Sequence, residues 1–237
     1  MTQNKSRKSA WAITTNRYVG FIDVMGFKDM VMRSSHDDIY KMMKVINKAK
    51  TLNENLSSTK DHELIRSTTY SDSIMLYTKD NSDESLGALI EVISGLTNDL
   101  FIEGIPHKGS VAYGKMTLDT ERSIFFGQPL IDAYLLSEEL FFYGIIIHGS
   151  AEEKFEKRLI QYPFIAKYLC PLKRGKSNHF TIYPMHIDSS SAESTEFSMH
   201  HQNIFKSLEK MKYKTSGYLR QYIDNTDSYF RYVSNKN

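Results

Sequence analysis

The spacing of hydrophobic and polar residues divides the first half of the chain into strands and helices. Within residues 17–30, Tyr18, Val19, Phe21 and Ile22 have the aromatic and β-branched content that is typical of a buried strand. Residues 64–70 and 73–78 form two similar runs around a short polar turn, and this pattern predicts a β-hairpin. Apolar residues three and four positions apart predict amphipathic helices over 39–49 and 86–102.

The next part of the chain continues the alternation of strands and helices. The pattern predicts a strand over 108–116, a short strand over 122–126, a helix after Gly127 and a strand over 144–148. The resulting order is strand, helices, hairpin, helix, strand, helix, strand. This order predicts an α+β fold with a ferredoxin-like, split β-α-β arrangement, in which the first strand and the hairpin lie side by side in the centre of the sheet.

The chain beyond residue 149 has a less regular pattern. It predicts a helix, a strand and two further helices, over 151–169, 180–187, 200–211 and 215–233. The chain therefore divides into a loose N-terminal segment, a compact unit, and an appendage that packs on this unit or at a dimer interface. These three parts cover 1–15, 16–148 and 149–237.

Two aspartates stand at the ends of apolar strands, Asp23 in the first strand and Asp72 in the hairpin turn. A carboxylate among apolar residues is costly to bury unless a cation or a basic partner compensates for its charge. Each aspartate also has a simpler interpretation, because a turn aspartate can hydrogen-bond its own backbone. Two strands that each present one carboxylate also provide the minimum set of protein ligands for a two-metal phosphoryl-transfer site. The pattern by itself leaves these possibilities open.

Composition and charge restrict the class of protein. At 237 residues, with 41% hydrophobic and 24% charged residues, the chain can form one globular domain with a sizeable core. A formal net charge of +2, without a long basic run, argues against a nucleic-acid partner. Cys170 is the single cysteine, so no intrachain disulfide can form, and no apolar run reaches transmembrane length. We therefore expect a cytoplasmic protein that needs no membrane.

Four segments follow one another in a distinctive order: FIDVMGF, a YSDS hairpin, GIPHKGSVAYGKM and FFGQPLIDAYLLSEE. Together they resemble the catalytic domain of class III nucleotidyl cyclases over residues 17–147. The compact form and the tail NTDSYFRYV are similar to the bacterial Pycsar pyrimidine cyclases of anti-phage defence. The resemblance implies a class III cyclase fold, with residues 16–148 as the catalytic domain and a helical C-terminal appendage.

The resemblance also implies the residues of the site. Asp23 and Asp72, with the Val24 carbonyl as a third protein ligand, would hold two divalent ions, Mn²⁺ or Mg²⁺. One ion would activate the ribose 3′-hydroxyl, and the other would neutralise the triphosphate. The segment over 21–28 would face the triphosphate, and the hairpin would lie beside the base. The implied substrate-binding residues are Phe21, Gly26, Phe27, Lys28, Thr68 and Tyr70.

The sequence departs from the family at the positions that read the base and stabilise the transition state. Thr68 and Ile124 stand where adenylyl cyclases place a lysine and an aspartate, and the guanine-reading pair is also missing. Ile131 and Leu135 replace the family's transition-state asparagine and arginine. Another cation must then stabilise the phosphate charge, or catalysis is lost. The candidates are Arg66, Lys115 and Arg122, and the predicted catalytic residues are Asp23, Asp72 and Arg66.

We interpret the chain as a metal-dependent lyase that converts UTP, and less readily CTP, to the 3′,5′-cyclic mononucleotide and pyrophosphate. By resemblance, cyclic UMP would activate a separate effector during phage infection. Two alternatives stay open: a cyclase-fold module that binds a nucleotide or a partner without catalysis, and a purine cyclase with unusual base contacts. A single cyclase domain further implies a homodimer with active sites at its interface, formed with help from the helix after Gly127 and the terminal helix.

Overall fold

The computed structural model describes residues 11–47, 63–157, 164–185 and 194–235. Within these ranges the chain forms eight strands and seven helices. The strands are β1 (Thr14–Val24), β2 (Ile65–Tyr70), β3 (Ser73–Thr78), β4 (His107–Asp119), β5 (Ile124–Gly127), β6 (Gly144–Ile147), β7 (Ile165–Leu172) and β8 (Gly175–Ile182). The helices are α1 (Phe27–Arg33), α2 (His36–Ile46), α3 (Asp83–Ile102), α4 (Gln128–Glu139), α5 (Gly149–Glu156), α6 (Ser194–Tyr213) and α7 (Tyr218–Ser234).

All these strands join one sheet, in the order β2-β3-β1-β4-β6-β8-β7, with β5 paired to the C-terminal part of β4. β1 is central and antiparallel to both of its neighbours. Asp23 lies opposite Ser73 of β3 on one side and opposite Lys108 of β4 on the other. The end of β1 therefore meets the β2–β3 turn and the start of β4, which confirms that the first strand and the hairpin are adjacent.

The side chains of β1 alternate between the two faces of the sheet, as successive strand residues must. Tyr18 and Ile22 belong to the core beneath α3. Phe21 packs on the opposite face, against Ala133 of α4. Asp23 lies two positions after Phe21 and therefore shares the α4 face. The packing of α4 onto the sheet consequently determines which groups can approach Asp23.

The residues after α5 extend the same sheet. β7 and β8 form an antiparallel hairpin, and β8 pairs with β6. α6 and α7 cover this end of the sheet, where Tyr229 and Phe230 are buried in a core shared with β6. The helix predicted over 151–169 is therefore wrong in its second part. From Ile165 onward the backbone is hydrogen-bonded to β8, a long-range pairing that a local hydrophobic period cannot reveal.

The N-terminal segment predicted as loose is only partly within the described residues. Residues 1–10 lie outside them. From Thr14 onward the chain is already in β1, paired with the far end of β4. The first strand is therefore longer than predicted.

α3 is long and apolar enough to cross a membrane, although the sequence predicts no run of transmembrane length. It is the single helix of this kind in the described part of the chain, and 78% of its most apolar stretch is buried inside the fold. Leu89, Ile93 and Leu96 contribute this stretch to the main core. Packing against the sheet accounts for its apolar composition.

His107, the first residue of β4, is completely buried. Its Nδ1 lies 2.9 Å from the carbonyl oxygen of Ile105, and its ring meets the edge of Phe101 at a centroid distance of 4.5 Å. Burial lowers the pKa of His107 to about 4, and the hydrogen bond to Ile105 only partly opposes this shift. On acidification the unfolded chain therefore takes up a proton before the folded protein does. His107 stabilises the fold above pH 6.5, and this contribution is lost as the pH falls towards 4.

We expect His107→Gln to reduce the loss of stability on acidification. Between pH 7 and pH 4 the wild type should lose roughly 3 kcal/mol more free energy of unfolding than this variant does. Urea denaturation at a series of pH values measures the difference. The surface variant His36→Gln is the matched control and should follow the wild type. Parallel pH profiles for the wild type and His107→Gln would contradict this assignment.

Candidate active site

The two predicted metal-binding aspartates are brought together by backbone hydrogen bonds. The Val24 N–H donates to the Asp72 carbonyl oxygen at 2.8 Å, which fixes the β2–β3 turn against the end of β1. The Met25 N–H donates to the Pro106 carbonyl at 2.9 Å, just before β4. Gly26 has a φ of 75°, a left-handed conformation that glycine adopts without strain, and α1 begins directly after it. The chain turns sharply here, so both aspartates and the start of α1 face one cleft.

This cleft has a volume of about 350 Å³. Its lining includes Asp23, Val24 and Asp72 together with Gly26, Phe27 and Lys28, all of which the sequence predicts as site residues. The lining also includes residues from distant segments that the sequence analysis did not select: Lys108, Lys173, Tyr218 and Tyr222. They come from β4, from the β7–β8 turn and from α7, so the cleft combines distant segments of the chain.

The charges around Asp23 oppose one another. The pKa of Asp23 is raised to about 6, chiefly by burial, with a contribution from the carboxylates of Asp72 and Glu138, while Lys108 and Lys173 act in the opposite direction. The Lys108 ammonium is almost completely buried and lies 2.7 Å from Glu138 Oε1. Lys173 Nζ lies 4.0 Å from the other Glu138 oxygen. Glu138 therefore links two cationic groups at the edge of the cleft.

These donors fit a hard divalent cation. Among the described residues there is no cluster of three or more histidine, cysteine, aspartate or glutamate side chains able to hold a metal. Mg²⁺ and similar ions are commonly bound by one or two carboxylates, with water and substrate phosphates completing the coordination. Asp23 and Asp72 provide such a pair, and burial raises the pKa of Asp23. A cation beside Asp23 would favour its ionised form.

Other predicted site residues lie outside the cleft of a single subunit. Phe21 is buried under α4, with its ring 5.4 Å from that of Tyr134. Thr68 and Tyr70 lie on β2, the outer strand, and the Tyr70 side chain is 79% exposed. Arg66 Nε binds Glu63 at 3.1 Å, and its guanidinium lies over the Trp11 ring at 4.3 Å. A direct role for the three β2 residues would require contact across a subunit interface, and it stays a prediction.

The remaining cation candidates are also outside the cleft. Arg122 Nη1 is bound to Asp119 at 3.0 Å, and Lys115 is exposed on β4. The cations that do line the cleft are Lys108 and Lys173. The sequence pattern could have indicated Lys108, because a lysine within an otherwise buried strand needs a specific partner. Lys173 lies in an ordinary polar turn, and its sequence context gave no such indication.

We expect Asp23→Asn to stabilise the metal-free protein at neutral pH. The folded pKa of Asp23 is raised, so its ionised form costs stability that appears as the pH rises from about 4 to about 6. The gain at pH 7 should be about 1 kcal/mol, after allowing for solvent screening of this half-buried group, and should vanish below pH 4. Thermal unfolding with and without Mn²⁺ measures both the stability of the metal-free protein and its binding of the ion. Mn²⁺ should raise the Tm of the wild type but not that of Asp23→Asn.

Asp29→Asn is the matched control, because Asp29 lines the same cleft but is exposed. It should keep the stabilisation by Mn²⁺. A loss of stability in Asp23→Asn at pH 7, or an unchanged response of that variant to Mn²⁺, would contradict the assignment of Asp23 as a ligand.

Comparisons with known proteins bear on the fold. No protein-family model matches the sequence, and no curated protein matches it. Among solved structures, one that is similar is the catalytic core of a rhodopsin-guanylyl cyclase with converted specificity, in complex with ATPαS. Its TM-score is 0.52 and its sequence identity is 13%, and the match covers 72% of this chain and 96% of that one. An adenylate/guanylate cyclase/hydrolase from Silicibacter pomeroyi is similar with a TM-score of 0.47 and 11% identity, over 73% of this chain and 98% of that one.

At these identities the similarity concerns the fold alone. The predicted α+β, ferredoxin-like architecture is confirmed, and this chain has the fold of a class III nucleotidyl cyclase catalytic domain.

Proposed function

We propose that this protein is a metal-dependent nucleotidyl cyclase that converts UTP, and less readily CTP, to the 3′,5′-cyclic mononucleotide and pyrophosphate. The observation that carries the proposal is the cleft at the end of β1, where two carboxylates and two lysines meet within a cyclase fold. In the reaction the ribose 3′-oxygen bonds to the α-phosphorus. The bond from that phosphorus to the oxygen shared with the β-phosphate breaks, and pyrophosphate leaves.

The residues of the cleft suit this reaction. Two divalent ions, Mn²⁺ or Mg²⁺, held by Asp23, Asp72 and the Val24 carbonyl, would activate the 3′-hydroxyl and neutralise phosphate charge. Lys108 and Lys173 place positive charge beside the carboxylates, where a triphosphate would lie. Because Lys108 is buried and held by Glu138, its charge is preorganised and acts in a region of low dielectric constant. These two lysines replace Arg66 as our candidates for stabilising the departing pyrophosphate.

The base preference is inferred from the residues at the two base-reading positions. A hydroxyl at Thr68 and an aliphatic side chain at Ile124 lack the groups that read adenine in the family, and this supports a pyrimidine. The proposed product, cyclic UMP, would act as a second messenger in anti-phage defence on a separate effector, by resemblance to the Pycsar cyclases. The solved structures with similar folds are named for guanylyl and adenylate/guanylate cyclases, so a purine cyclase is the alternative that the assay must test.

The deciding assay incubates purified protein with Mn²⁺ and each of the four ribonucleoside triphosphates, and measures cyclic product. We expect cyclic UMP to form fastest, with discrimination against ATP and GTP of up to about 10⁴-fold.

Asp23→Ala and Asp72→Ala should each reduce turnover by roughly 10²–10³-fold, because each removes a group that holds charge-stabilising cations.

The matched control in this assay is Asp29→Ala, which should retain activity. Comparable rates with a purine triphosphate would disprove the pyrimidine preference. No cyclic product from any nucleotide, with nucleotide binding retained, would favour the module that binds without catalysis.

The proposed active form is a homodimer with sites at the interface. α4 presents Ile131, Tyr134 and Leu135 to solvent on one face, and β5 exposes Ile124 and Phe126 beside it. Contiguous exposed apolar residues of this kind commonly mark an interaction surface. A second copy is the occupant we propose, because the base-facing candidates Thr68 and Tyr70 lie outside the cleft of their own subunit.

We expect Leu135→Glu to produce a monomer with greatly reduced cyclase activity, since a charge on the apolar face opposes its burial. Sedimentation and the cyclase assay measure the two effects, and the rise in Tm with Mn²⁺ should persist because the aspartates are untouched. The exposed residue Leu169 of β7 offers a control, Leu169→Glu, which should remain dimeric and active. An active monomer would overturn the dimer proposal.

A further inference from the structure

The terminal helix α7 begins at the cleft that contains Asp23 and Asp72. Its first residue, Tyr218, and Tyr222 one turn later both line this cleft, together with Lys108 and Lys173. Tyr222 is only 2% exposed, whereas Tyr218 is 56% exposed. The Tyr218 side chain is therefore accessible to a molecule bound in the cleft, whereas Tyr222 supports it from below the surface.

The start of α7 is held firmly in place. The Asn225 amide donates to the Phe141 carbonyl at 2.7 Å, and the Thr226 hydroxyl accepts the Tyr143 N–H at 2.7 Å. The Arg220 guanidinium donates to the carbonyl of Lys212 at the end of α6, at 2.6 Å. These contacts anchor α7 beside the cleft, one from its first turn and two from residues further along the helix.

The Tyr218 ring is held by its neighbours, and its hydroxyl interacts with that of Tyr222 at the lining of the cleft. The ring is stacked on Phe141 at 4.9 Å and meets Tyr222 edge-on at 5.8 Å. Burial raises the pKa of Tyr222, and the neighbouring Tyr218 hydroxyl adds to this shift. The phenol of Tyr222 therefore keeps its proton at neutral pH, and it can donate a hydrogen bond within the cleft.

We propose that the Tyr218 hydroxyl donates a hydrogen bond to the polyphosphate of the substrate, and that Tyr222 is a positioning residue for it. The chemistry of the surroundings identifies this part of the substrate, because the ammonium groups of Lys108 and Lys173 share the cleft with Tyr218. A neutral phenol adds a directed donor for a phosphate oxygen without adding charge to a site that already contains both signs. The C-terminal helix thereby forms one wall of the active site. This inference rests on the proposed nucleotide binding.

The test uses inorganic tripolyphosphate with Mn²⁺ as the probe and the full-length protein. Tyr218→Phe retains the ring that stacks on Phe141, so its Tm should equal that of the wild type. Its affinity for tripolyphosphate, measured by calorimetry, should fall about tenfold, as expected for one lost hydrogen bond to a charged group. KM for the nucleotide should rise by a similar factor with little change in kcat, because the contact exists in both ground and transition states.

Tyr213→Phe is the matched control. Tyr213 is an exposed tyrosine at the end of α6 whose hydroxyl donates to Glu209, and it does not line the cleft. This variant should bind tripolyphosphate like the wild type. An unchanged affinity and KM in Tyr218→Phe would overturn the inference while leaving the proposed function intact. Absence of tripolyphosphate binding by the wild type would also overturn it, and the cyclase assay would then decide the proposed function separately.

Discussion

The negative charge of Asp23 is the constraint on which this end of the molecule depends. β1 is paired along both edges, so Asp23 cannot move away from Asp72 or from the start of β4. Its position between apolar residues raises its pKa, and a second carboxylate nearby increases the effect. The surrounding groups compensate only in part, through Lys108 and Lys173. Strongly shifted pKa values of this kind cluster at functional sites.

α4 connects this charged cleft to the surface where we place the second subunit. Its inner face packs Ala133 on the sheet and carries Glu138, which fixes Lys108. Its outer face exposes Ile131 and Leu135. Because one rigid helix carries both features, a contact on its outer face would also restrain the groups that balance Asp23. This arrangement gives a physical reason why assembly and catalysis would be coupled in the proposed enzyme.

The C-terminal third of the chain contributes more than support for the sheet. The β7–β8 turn supplies Lys173, and the Lys173 N–H donates to the Glu139 carbonyl at 2.8 Å, which docks the turn on the end of α4. α7 supplies Tyr218 and Tyr222 from an element anchored on the loop between α4 and β6. Groups on rigid elements can hold a bound molecule in a defined geometry. This arrangement suits catalysis by positioning of the substrate rather than by a reactive side chain in the proposed enzyme.

The sequence by itself determined most of the elements and half of the residues that line the candidate cleft. The hydrophobic period and the turn residues are local properties of the sequence. They were sufficient to predict the presence of β1, the β2–β3 hairpin, α3 and β4. The motif around Asp23 and Asp72 predicted these carboxylates with Gly26, Phe27 and Lys28, because the aspartates lie where β1 meets the hairpin and the other three directly follow β1. Only the tertiary structure decided that Lys108, Lys173 and Tyr218 join them and that Arg66 binds Glu63 and Trp11 instead. Those contacts join segments far apart in the chain, and their formation depends on how β7, β8 and α7 dock on the sheet, which no local pattern encodes.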